Sequence, residues 1–139
     1  MIIRPFALAD QAAVIALWQT CGLTRAWNDP QQDIARKLRQ QPELFLVGTV
    51  GAQVVATVMA GFDGHRGWVN YLAVDPREQR RGFGRALMRE VEQRLAERGC
   101  PKLNLQVRAG NDLVLAFYER LGYRPDAVVS LGKRLSEDR

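Results

Sequence analysis

Histidine occurs once in these 139 residues, at His65, and cysteine twice, at Cys21 and Cys100. With so few of either and no recurring spacing, zinc-binding and disulfide frameworks are excluded, and both thiols are expected to be buried and free in a cytoplasmic protein. No apolar run reaches the roughly eighteen residues that a membrane-spanning helix requires. The first residues, Met1-Ile2-Ile3-Arg4-Pro5-Phe6, lack a secretory apolar core. The expectation is therefore a soluble, cytoplasmic chain with no membrane partner. Zinc-finger spacing, aromatic RNA-binding motifs and helix-turn-helix patterning are also missing. The net charge of +5 is accordingly read as suited to a small polyanion rather than to nucleic acid.

What is present is ordinary globular material, 47% apolar and 25% charged, enough for one domain over residues 1–139 with its own core. Its centre is the stretch from Val69 to Leu87. The apolar run Tyr71-Leu72-Ala73-Val74 is stopped by Asp75-Pro76, as in a strand covered on both faces and turned out of its sheet. Beyond it Phe83, Leu87, Val91 and Leu95 repeat every four residues, the buried stripe of a helix. Gly82 and Gly84 thus stand where a strand hands over to a helix. A helix start presents unpaired N–H groups and partial positive charge, glycine permits close approach, and Arg80, Arg81 and Arg85 add cations, so this loop is a candidate anion cradle.

Among phosphate loops, a dinucleotide fingerprint needs glycine at 87 and an acidic residue near 102, which are Leu87 and Lys102. A Walker loop needs Gly-Lys-Ser/Thr, which is absent. The remaining pattern, Gln79-x-x-Gly82-x-Gly84 after Leu-Ala-Val-Asp-Pro, resembles the coenzyme A loop of the GNAT (GCN5-related) N-acetyltransferases. A second block is similar to that family's ending: Asn111, Ala116, Tyr118, Glu119, Gly122 and Tyr123 match Asn…Ala-x-x-Tyr-Glu-x-x-Gly-Phe/Tyr. The stretches at Trp27-Asn28-Asp29-Pro30, 61–67 and 131–135 look closest to its bacterial YpeA-type subgroup.

The remaining chain reads as follows. Residues 2–6 form a first strand. Asp10 is placed to cap a helix carrying Val14, Leu17, Trp18 and Cys21. Asp29, Pro30 and Gln32 open a second helix with Ile34 and Leu38 inward. Runs 44–50 and 53–62 make a hairpin about Gly51-Ala52, and a central strand follows at 68–74. Arg98-Gly99-Cys100-Pro101 ends the central helix, and Leu103, Leu105 and Val107 alternate in a strand over 102–107. Asn111-Asp112 opens a last helix with Leu115 and Leu121 inside, and Val128 to Leu135 supplies closing strand material. This order predicts a mixed α/β sheet flanked by helices, with strands 68–74 and 102–107 in a right-handed parallel crossover. The family resemblance makes the fold more specific: a mostly antiparallel sheet whose parallel pair bulges and splays apart.

The resemblance implies an enzyme that moves the acetyl group of acetyl-CoA to a primary amine by direct attack, without metal. It assigns the pyrophosphate to the loop from Gln79 through Arg80, Arg81, Gly82, Phe83 and Gly84 to Arg85. Main chain at Leu72, Ala73 and Val74 would meet the pantetheine arm, as would Asn111, and Tyr118 would protonate the departing thiolate. Relatives that acetylate ribosomal-protein N-termini carry Glu where this chain has Gln106, which takes no proton. Candidate bases are Asp63 or His65 in the loop before the central strand, Asp29 or Asp33 near the second helix, or a water chain. Trp27, Asp29 and Asp63 are candidate acceptor contacts. With Asp33 and Glu43 nearby, they would suit a cationic amine such as a lysine side chain; a protein N-terminus or a small amine also stays open. A catalytically silent acyl-CoA sensor is the rival reading, and the chain is expected to be a monomer or homodimer.

Overall fold

The structure, a computed structural model, describes residues 1–137. Its frame is a five-stranded sheet in chain order: β1 (Ile2–Pro5), β2 (Phe45–Val50), β3 (Gln53–Phe62), β4 (Gly67–Val74) and β5 (Leu103–Leu105). The first four strands run antiparallel, and only β4 and β5 are parallel. Helices α1 (Gln11–Thr20) and α2 (Pro30–Leu38) precede β2, α3 (Phe83–Glu97) crosses from β4 to β5, and α4 (Asp112–Arg120) follows.

The continuous apolar run Phe45-Leu46-Val47 is explained by a sheet covered on both faces. Phe45 and Val47 pack with Val14, Trp18 and Ile34 under α1 and α2. Leu46 points the other way, into a core with Val58, Val69 and the α3 stripe. Phe83, Leu87, Val91 and Leu95 of that stripe are all buried, as their spacing predicts. The start of α2 also follows its sequence signal: Pro30 occupies the first turn and the Asp29 carboxylate accepts the Gln31 N–H at 2.9 Å.

Five expectations are corrected. Residues 128–135 form no strand. Val128, Val129, Leu131 and Leu135 are exposed, and side-chain bonds such as Lys102 to Asp126 hold this part of the chain near β5 in place of a backbone ladder. The strand expected over 102–107 is short because pairing with β4 ends at Leu105. Leu115 faces outward, and Tyr118 takes the buried position of α4. Asp10 does not cap α1: its carboxylate is held by both Arg4 guanidinium nitrogens, at 2.7 and 2.9 Å, and by the Ala7 N–H. Both cysteines are free, but only half-buried.

Candidate active site

The site begins with a one-residue slip. Thr57 on β3 pairs with Ala73, whereas Met59 pairs with Asn70, so Val58 opposes both Tyr71 and Leu72. This is a β-bulge, and Tyr71 carries its strain with φ of 54°, in the left-handed region that β-rich residues avoid. Buried hydrogen bonds hold it there. The Trp18 indole donates to the Thr57 hydroxyl at 2.9 Å, and that hydroxyl donates to the Tyr71 carbonyl at 2.9 Å. The Tyr71 ring stacks on Trp18 with centroids 3.8 Å apart, and its phenol donates to Asp33 at 2.6 Å.

Past the bulge the parallel pair opens. Pairing between β4 and β5 stops at Val69 and Leu105, although β4 continues to Val74. A cleft of about 720 Å³ occupies the gap, lined by Asn70, Tyr71 and Leu72 on one side and by Leu105, Gln106 and Val107 on the other. Backbone on β4 facing this gap lacks the ladder partners that a zipped pair would supply, so it is available to an extended ligand.

Tyr118 lies on the cleft from α4, only 7% exposed, between the Phe117 and Tyr123 rings. Burial pushes its phenol up to about 12, so it stays protonated through the physiological range. Asn111 also lines the cleft, while its side chain caps α4 by accepting the Val114 N–H at 3.4 Å.

The glycine loop leads into α3. Gly82 is the residue before the helix, with φ of 78°, and Arg80 is also left-handed. The first intrahelical bond runs from Ala86 N–H to the Gly82 carbonyl, so the N–H groups of Phe83, Gly84 and Arg85 form the open helix start. The two glycines serve different ends. Gly82 supplies the left-handed turn. A Cβ on Gly84 would sit 3.1 Å from Phe117 Cζ, so Gly84 lets α4 pack against the start of α3. Gln79, Arg80, Arg81 and Arg85 are exposed around it, Arg81 bonding to Glu78 and lying over the Phe83 ring.

The remaining expected residues are placed elsewhere. His65 and Asp63 stand in the exposed β3–β4 loop, outside the lining of the cleft. The Asp63 carboxylate accepts the His65 and Arg66 N–H groups, each at 2.7 Å, which holds it below its ordinary range. Its other oxygen accepts the Trp68 indole N–H at 3.3 Å. Trp27 is half-exposed beneath the Arg108 guanidinium, in a groove beside the cleft. Asp29 is occupied in capping α2. Among the described residues, Asp33 is the one carboxylate that lines the cleft.

An open helix start beside a bulged, splayed parallel pair is the arrangement that the two sequence blocks led us to expect. The acetyltransferase (GNAT) family model matches residues 10–123. The chain belongs to that family. It is 51% identical over 138 residues to an acetyltransferase of Yersinia enterocolitica, covering 99% of this chain and 98% of that one. An acetyltransferase of Pectobacterium atrosepticum is 50% identical over 139 residues, covering 100% and 99%. Among solved structures, Ard1 from Thermoplasma volcanium is similar with a TM-score of 0.82 and 31% identity, covering 91% of this chain and 84% of that one. As a GNAT N-acetyltransferase, the chain displays the family's mixed sheet. Among its described residues there is no cluster of metal-ligating side chains, and no helix is long and apolar enough to cross a membrane.

Sequence reasoning passed over Thr57 and read Trp18 only as an apolar position of the first helix, whereas their polar atoms fix the bulge. Thr57 sits in an apolar run where it reads as filler, and nothing local distinguishes it.

Proposed function

We propose that this acetyltransferase moves the acetyl group of acetyl-CoA to a primary amine by direct attack in a ternary complex, and that it is of the YpeA type its sequence blocks resemble. The observation that supports this best is the parting of β4 and β5 beyond Val69 and Leu105, with Tyr118 on the cleft so formed. The open start of α3, with Arg80, Arg81 and Arg85 exposed around it, suits a diphosphate. Backbone at Leu72, Ala73 and Val74 suits the pantetheine amides, and a freed N–H there suits the thioester oxygen as charge develops on it.

An amine of pKa about 10 is largely protonated at neutral pH and must lose a proton before it attacks. Asp33, not Asp63 or His65, takes this role, because it alone among the candidate carboxylates lines the cleft. The reaction forms an N–C bond and breaks the C–S bond. Of the two protons lost by the ammonium nitrogen, one leaves by way of Asp33 and the other ends on the thiol. A phenol near 12 holds its proton more tightly than a free thiol does, so Tyr118 acts by donating a hydrogen bond to sulfur as its charge grows.

Thiol release from acetyl-CoA in the presence of amines, together with calorimetry of acetyl-CoA binding, tests the proposal. Binding without turnover by any amine would favour the silent-sensor reading, and absence of binding would overturn both.

A further inference from the structure

Tyr71 takes part in both halves of the reaction's geometry. Its main chain carries the left-handed turn of the bulge, with φ of 54°, and the β4 backbone that follows it, Leu72 to Val74, is the stretch suited to the pantetheine amides and the thioester oxygen. Its side chain reaches α2, where the phenol donates to Asp33 Oδ2 at 2.6 Å. The other carboxylate oxygen, Oδ1, accepts from Arg36 at 3.2 Å. These two bonds differ in what they fasten. Arg36 ties the carboxylate to its own helix, whereas Tyr71 ties it to the strand.

That difference bears on proton transfer. A base must stand within hydrogen-bond reach of the attacking nitrogen while that nitrogen stands over the thioester carbon. The thioester is placed by β4, but the Asp33 backbone is placed by α2. The phenol joins the two. The ring that carries it is itself fixed, stacked on Trp18 with centroids 3.8 Å apart and 12° between the planes, while the Thr57 hydroxyl holds the carbonyl of the same residue at 2.9 Å. A carboxylate held by such a locked ring keeps its place to within the fraction of an ångström on which attack geometry depends.

We propose that Tyr71 is a positioning residue: its phenol holds the Asp33 carboxylate at a set distance from the thioester, so that the acceptor ammonium loses its proton at the place where it attacks. The hydroxyl carries this role, since the ring and the bulge are secured by Trp18 and Thr57 without it. This inference rests on Asp33 as the base and goes beyond that reading, because it makes the base's placement a property of the donor-binding strand.

Tyr71→Phe tests it, keeping the stacked ring and the main-chain bond and removing only the hydroxyl. Initial rates of thiol release from acetyl-CoA are compared for the native protein, Tyr71→Phe, Asp33→Asn and the double variant at pH 7. The acceptors are ethylamine, which is protonated at this pH, and trifluoroethylamine, whose fluorines withdraw charge and leave it neutral. With ethylamine each single variant is expected to lose roughly ten- to a hundredfold in kcat/KM, and the double variant no more than about twofold beyond the weaker single one, because the phenol acts through the carboxylate. With trifluoroethylamine the step assigned to Asp33 is not needed, so the losses should shrink to roughly threefold or less. Acetyl-CoA affinity by calorimetry should change less than about twofold throughout. If Asp33→Asn shows this dependence on the amine but Tyr71→Phe loses nothing, loses equally with both amines, or multiplies its loss with that of Asp33→Asn, this inference is overturned and Asp33 keeps its role. An Asp33→Asn loss that is the same for both amines overturns the base and this inference together, leaving acetyl transfer standing. Acetyl-CoA binding with no turnover of either amine by the native protein overturns this inference and acetyl transfer alike.

Discussion

Thr57 holds Tyr71 by the main chain: its hydroxyl donates to the Tyr71 carbonyl at 2.9 Å, at the one residue of β4 with a left-handed backbone. Because that hydroxyl also accepts the Trp18 indole N–H, the bulge is fastened to α1 through a polar chain whose Trp18 and Thr57 members are fully buried. Removing one partner from such a chain leaves the others unsatisfied.

Thr57→Val should therefore cost about 1–3 kcal/mol, a loss larger than its change in volume suggests. Denaturant unfolding measures the stability, and kcat/KM should fall at the same time because β4 is free to slip toward regular pairing. A variant of normal stability and activity would show that the bulge holds without this hydroxyl.

Tyr118→Phe keeps the ring that packs between Phe117 and Tyr123 and removes only the phenol. Turnover is expected to drop by roughly ten- to a thousandfold, as the departing sulfur loses its hydrogen-bond donor. Acetyl-CoA affinity by calorimetry should be nearly unchanged. An undiminished rate would remove Tyr118 from the chemistry.

Gly82 and Gly84 should fail in different ways. Gly82→Ala places a side chain at φ of 78°, with a strain of about 1 kcal/mol and open space around the new methyl. Gly84→Ala instead meets Phe117 at 3.1 Å and should cost about 1–3 kcal/mol by wedging α4 from α3. Thermal unfolding with and without acetyl-CoA separates them: Gly84→Ala lowers the midpoint of the free protein more, and both weaken the shift that acetyl-CoA produces.

The Arg4 guanidinium holds the Asp10 carboxyl below its ordinary value of 3.8. A depressed carboxylate stabilises the fold above that ordinary value, and the contribution is lost as pH falls through the lower folded-state value. Arg4→Gln should thus reduce stability at pH 7 by up to about 1 kcal/mol, the half-exposed guanidinium being screened by solvent. The deficit should vanish in acid, where both proteins carry a protonated Asp10. Urea midpoints at pH 7 and below pH 3 check this.

Much of the passage from β4 into α3 was legible because its signals are local. Asp75-Pro76, Gly82 and the Phe83, Leu87, Val91, Leu95 stripe all lie within one strand–turn–helix passage, and the structure has the same passage. The bulge was not legible from composition or periodicity, since it depends on a hydroxyl 14 residues away and an indole 39 residues beyond that. Val128 to Leu135 misled for the opposite reason. Its residues favour strands, but in the structure it joins no ladder, and a strand is only as real as the backbone beside it. At the acceptor end, composition did not reveal that backbone N–H groups bond the Asp29 and Asp63 carboxylates, because those bonds depend on the local turn each residue closes.

The short β4–β5 ladder also makes the free protein unfinished. The pantetheine arm would act as a missing sheet partner, and its occupancy would be felt well away from the reacting atoms. Those amide hydrogens between 70 and 74 that face the gap rather than β3 should exchange quickly with solvent until acetyl-CoA arrives and slowly afterwards, so that the resting enzyme's rigidity would track the cell's supply of its own donor.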